Sequence, residues 1–96
     1  MLYMIEERFR GGRPEAVYAR FRERGRMAPE GLHYVASWVT TDGARCFQVM
    51  ECEERSLLDA WMAAWKDLVE FTVSPVMSSA DAAARSRPPD SLPNPP

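Results

Sequence analysis

The stretch from Leu32 to Cys52, LHYVASWVTTDGARCFQVMEC, holds two β-rich runs, LHYVASWV and RCFQVMEC, joined by TTDGA. Asp42-Gly43 between such runs predicts a hairpin, because a type I′ turn needs positive φ at both central residues and Asp-Gly tolerates it. With those two residues as the loop, Trp38 faces Phe47, Ala36 faces Val49 and Tyr34 faces Glu51 on one side. The other side then pairs Val39 with Cys46, Ser37 with Gln48, Val35 with Met50 and His33 with Cys52. A three-residue loop slips the pairing by one and sets Tyr34 and Trp38 against Cys46, Gln48 and Met50 instead. Both registers stay open. In either, both faces of the hairpin carry bulky apolar groups, whereas a sheet wetted on one side alternates them with polar ones.

Upstream, LYMIEERF at residues 2–9 puts Tyr3, Ile5, Glu7 and Phe9 on one side and Leu2, Met4, Glu6 and Arg8 on the other, the period of a strand. RGGRP breaks it, and Pro14 suits the first position of a helix that runs to Arg24 with Val17, Tyr18 and Phe21 as its apolar stripe. Gly25 is its natural stop. Downstream, Ser56 and Asp59 read as a capping box for a second helix, whose Leu58, Trp61, Met62, Trp65 and Leu68 repeat at the spacing of one face. VEFTVSPV at residues 69–76 is the last strand, with Pro75 placing it at an edge or ending it. SSADAAARSR forms at most a frayed helix, and five of the last nine residues are proline. The folded unit is therefore residues 1–77, and 78–96 form a frayed or disordered tail.

The order strand, helix, strand, strand, helix, strand predicts an α+β, ferredoxin-like βαββαβ domain, with two helices on one face of a four-stranded antiparallel sheet. The other face is left bare. For so short a unit, a second copy is the simplest cover, so a homodimer is expected. The segments MLYMIEERF, RFRERGRMAPEGLHYVASWV, RCFQVMEC and DLVEFTVSPVMSSA resemble a family of short bacterial proteins of unknown function in the dimeric α+β barrel superfamily. That resemblance implies the fold and the dimer; it supplies no catalytic residues.

Charge and composition exclude several classes. Twelve Lys and Arg against 14 Asp and Glu leave a net charge of −2, with no general attraction for nucleic acid. RCFQVMEC also lacks the glycine and the further aromatics of an RNA-stacking strand. No membrane span or leader is legible, and a cytoplasmic protein is expected. Cys46 and Cys52 lie roughly 20 Å apart along one strand and read as free thiols. One histidine and two cysteines are too few for a metal site, and no cofactor is expected.

Arg20, Arg22, Arg24 and Arg26 fan around a helix and read as solvated charge, with an anion-binding role for Arg22 or Arg26 at the turn as the alternative. A His33–Cys52 pair at the strand end could activate a thiolate, against the plainer reading of a rim histidine beside an incidental thiol. Trp61 and Trp65 read as packing. Tyr34, Trp38, Gln48 and Met50 are the candidate lining of a pocket for a small organic ligand. Glu7 and Glu51 are the candidate general bases, because a carboxylate buried there is raised in pKa. Three functions compete: a ligand-binding barrel, a cofactor-independent monooxygenase- or isomerase-like enzyme, and an assembly module without a ligand.

Overall fold

The computed structural model describes residues 1–86. Strand β1 (Leu2–Phe9) passes through a 3-10 turn, Arg10–Gly12, into helix α1 (Glu15–Arg24). Strands β2 (His33–Val39) and β3 (Arg45–Glu51) form the hairpin, helix α2 (Arg55–Ala63) leads to β4 (Val69–Val76), and a short α3 (Ser79–Ser86) follows. The four strands lie in the order β2-β3-β1-β4, antiparallel throughout. This is the ferredoxin-like arrangement expected from the element order, with β2 and β4 at the edges.

Side chains alternate across the sheet. From β1, Tyr3, Ile5, Glu7 and Phe9 are buried beneath the helices, and their neighbours are half-buried on the other face. Cys46, Gln48 and Met50 of β3 join the helix side. Ile5, Met50, Leu58 and Val69 are wholly buried at the centre, and each such side chain contributes roughly 1.5–3 kcal/mol by leaving water. Arg20 is not merely solvated. It clasps both carboxylate oxygens of Asp67 at 2.8 and 2.7 Å and donates to the Ala64 carbonyl at 3.0 Å, tying α1 to the turn after α2.

The hairpin departs from a type I′ turn, because Gly43 alone within the loop has positive φ, at +74°. Gly43 N–H donates to the Thr40 carbonyl at 2.8 Å, and Asp42 accepts from the Thr40 hydroxyl at 2.6 Å and from the Ala44 N–H at 3.0 Å. Those bonds satisfy Asp42 in an ordinary backbone conformation, so only glycine needs the left-handed one. Near the turn the register is that of the two-residue loop: Val39 with Cys46, Trp38 with Phe47, Ser37 with Gln48, Ala36 with Val49. A bulge at Val35 then shifts it, so that Tyr34 pairs with Met50 and His33 with Glu51. One extra residue moves every later side chain to the opposite face. The expected pairs Tyr34–Glu51, Val35–Met50 and His33–Cys52 are therefore not formed.

The second helix is also corrected. Glu54 stands at its N-cap without a side-chain cap bond, Ser56 is already helical, and Asp59 instead accepts from Arg55 Nε at 3.0 Å. The regular helix stops at Ala63, and Trp65 lies in the following turn, with its N–H bonded to the Met62 carbonyl at 3.0 Å. Ser79–Ser86 form helix α3, with none of its residues buried. The remaining tail lies outside the described residues.

On the open face, Trp38 beside Phe47 and Ala36 beside Val49 and Met4 form an apolar field. One end of that face is charged: Glu6 pairs with Arg8 at 3.3 Å and with Arg45 at 3.2 Å. This pairing explains an acid in a strand position that would otherwise be apolar.

Candidate functional site

Gly25 ends α1 with φ +70°, and the chain then crosses toward β2 through Arg26 and Met27. Met27 is left-handed at φ 60°, a conformation that costs a residue with a Cβ about 1 kcal/mol. What holds it is the backbone carbonyl of Arg26, which accepts the indole N–H of both Trp61 and Trp65 at 3.0 Å. The crossing is thereby anchored, and the Arg26 side chain is left free to turn toward the sheet. Its guanidinium lies 3.8 Å from the centre of the Tyr34 ring and 5.3 Å from that of Phe21, a stacked cation between α1 and β2.

Beneath this bridge is a cavity of about 250 Å³ between α1 and the sheet. Its floor is Glu7 and Phe9 of β1, Cys46 and Gln48 of β3, and Ser37 and Val39 of β2. Val17, Tyr18 and Phe21 of α1 form the roof, and Trp61 and Trp65 close one side. The roof is thin, since Tyr18 and Phe21 remain exposed even though they also line the cavity.

Two polar side chains stand out in this apolar chamber. Glu7 is 8% exposed and Gln48 5%. No hydrogen bond reaches the Glu7 carboxyl among the described residues, and the Gln48 amide finds only the Met50 thioether, at 3.3 Å, a weak acceptor. Among the described residues no side-chain N or O atom is both fully enclosed and unpartnered, so the free polar atoms of these two open onto the cavity space. Burial pushes the Glu7 carboxyl up to about 7, against the opposing pull of Arg26. The same burial, reinforced by the negative charge of Glu7, raises the Cys46 thiol to about 11. Cys46 is thus a neutral wall and not a nucleophile.

The structure brings together some of the predicted residues and separates others. Glu7 and Gln48 share the cavity. Met50 is completely buried beside them, and Tyr34 stands at the rim, its hydroxyl 2.8 Å from the Ser37 hydroxyl. Trp38 points to the open face, 58% exposed. Glu51 lies at the far end of β3, its carboxylate 3.5 Å from the N-terminal amine. The Val35 bulge causes this division, since it puts Tyr34 on the helix side while Trp38 stays on the other. Sequence reasoning missed the aromatic roof and the position of Arg26. Glu7, by contrast, is legible as the single acid among the buried positions Tyr3, Ile5, Glu7 and Phe9.

Both cysteines are free and buried. Among the described residues no three His, Cys, Asp or Glu side chains gather to hold a metal ion, and no helix is long and apolar enough to cross a membrane. Residues 1–88 match the family model described as a domain of unknown function, DUF3303. No curated protein and no solved structure matches the chain.

Proposed function

The chain belongs to the DUF3303 family, and we propose that it works as a homodimer that binds a small organic molecule in the cavity beneath α1. The observation that carries the binding reading is the pair of buried, poorly partnered side chains, Glu7 and Gln48, inside an otherwise apolar chamber. Ligand sites have that composition: apolar walls and a few placed polar groups. Benzyl alcohol, a neutral single-ring probe, is expected to shift Trp61 and Trp65 emission saturably, and Val17→Phe, which fills the roof, to abolish the shift. Emission that never saturates, or that survives Val17→Phe, contradicts the reading.

The dimer is supported by the open face, where Trp38 is exposed and Phe47, Val49 and Met4 are only half-buried, an apolar field partly open to water. Two such sheets laid face to face hide it. A charge at Val49 would be buried unpaired in that interface. Val49→Asp is thus expected to weaken association by roughly 100-fold or more, equivalent to about 2.7 kcal/mol, while the far-ultraviolet circular dichroism stays unchanged. Sedimentation equilibrium at micromolar concentration measures it, and a wild-type chain that is already monomeric there refutes the dimer. The two free thiols fit a reducing, cytoplasmic setting.

A second reading is favoured by the Glu7 carboxyl, which titrates near 7. A base of that pKa is suited to moving a proton at neutral pH, the opening step of an isomerase- or cofactor-independent monooxygenase-like reaction. Glu7 would take a proton from carbon while the electron pair moves onto a carbonyl oxygen held by Gln48 and Arg26. Deuterium exchange into the methyl group of acetophenone should then be accelerated by the chain and not by Glu7→Gln. Equal exchange by the two forms removes this reading and leaves the binding one standing.

A further inference from the structure

The two charged groups at the cavity are unequal. The Arg26 guanidinium is permanently positive, is half-buried, and enters no ion pair among the described residues. Glu7 can lose its charge by taking up a proton, and its surroundings already favour that. The groups facing Glu7 are the Cys46 thiol and the Gln48 amide from β3, the Tyr18 phenol from α1, the Trp61 indole from α2, Phe71 across from it on β4, and Arg26 from the crossing. With the thiol neutral, nothing else in this set offsets Arg26. The chamber in its protonated form therefore carries one uncompensated positive charge beside an amide N–H and a carboxylic O–H, both donors.

We infer that the cavity takes a single-ring organic monoanion with delocalised oxygen charge, of which an aromatic carboxylate is the simplest, its oxygens on Arg26 and Gln48 and Glu7 protonated beside them. The inference rests on the reading of this cavity as the ligand site. An anion gives the guanidinium its missing partner and replaces the weak thioether contact of Gln48 with a charge-assisted bond. The ring lies among Phe9, Tyr18 and Trp61. A cation of the same shape meets Arg26 repulsion and has only Glu7 to oppose it. A volume of about 250 Å³ limits the body to roughly one substituted ring.

Benzoate, benzylamine and benzyl alcohol share the ring and differ in charge, so they separate the two questions. Benzoate stays ionised across about pH 5.5 to 8.5. Its binding requires Glu7 protonated, so affinity is high below about 7 and falls above it. By tryptophan emission on the full chain, benzoate is expected to bind about tenfold tighter than benzyl alcohol near pH 5.5 and to weaken by about tenfold or more near pH 8.5. Arg26→Gln should lose the preference for benzoate and keep benzyl alcohol binding. It leaves intact the Arg26 backbone carbonyl that Trp61 and Trp65 hold, and retained alcohol binding shows that the cavity has survived. Glu7→Gln should bind benzoate without the pH dependence. Benzylamine binding tighter than benzoate, or benzoate binding no tighter than benzyl alcohol, overturns the inference while the cavity stands. If none of the three binds, the ligand reading falls and the inference with it.

Discussion

Trp61→Ala is expected to lower stability by about 3–5 kcal/mol, the range for deleting a large buried aromatic, and so to unfold much of a marginally stable domain. Trp61 is 3% exposed, lies 5.5 Å from the Phe71 ring, walls the cavity and helps to hold the Arg26 carbonyl. Removing it enlarges an existing cavity that the thin roof cannot close by collapse. Trp61→Phe separates the two contributions. The ring is largely kept and the indole N–H lost, yet Trp65 still donates to the same carbonyl, so the loss should be about 1 kcal/mol. Urea unfolding with circular dichroism measures both. Equal, small effects for the two variants would show that α2 does not carry the core.

The second large effect is in the pH dependence of stability. Glu7 has an ordinary carboxyl pKa of 4.5 when unfolded and about 7 when folded. Below 4.5 both states hold the proton, and between 4.5 and 7 the folded state alone holds it. Stability is therefore highest at the acid end of that window and falls as pH rises through it, because folding must take up a proton that the unfolded form has already lost. A rise of this size corresponds to roughly 3 kcal/mol lost by pH 8. Other groups titrate as well, so the wild type must be compared with Glu7→Gln at each pH. The difference between the two should change by about that amount between pH 4.5 and pH 8; a constant difference would mean that Glu7 is hydrated.

Much of the fold is legible in the chain because its signals are local. Alternation in LYMIEERF, the Asp42-Gly43 turn and the Leu58–Trp61–Met62 spacing each specify an element without help from distant residues. The hairpin register near the turn is legible for the same reason. The Val35 bulge is not, since nothing in HYVAS distinguishes a strand with one extra residue from one without. That single residue decides whether Tyr34 and Trp38 share a face. Half of the site follows suit: Glu7 and Gln48 can be placed by counting along β1 and β3, whereas Arg26 lies in a crossing whose path is set by two tryptophans about forty residues away. The arginines of RFRERGR look alike in sequence, and only tertiary contact separates Arg20, bonded to Asp67, from Arg26, turned to the cavity.

Burial of one carboxyl underlies the site, and the most direct measurement is the titration of that carboxyl itself. The side-chain carbonyl ¹³C shift of Glu7, followed by NMR from acid to mildly alkaline pH and assigned by its absence in Glu7→Gln, is predicted to turn near 7. A midpoint in the ordinary carboxylate range, near 4.5, would place Glu7 in water and contradict the site.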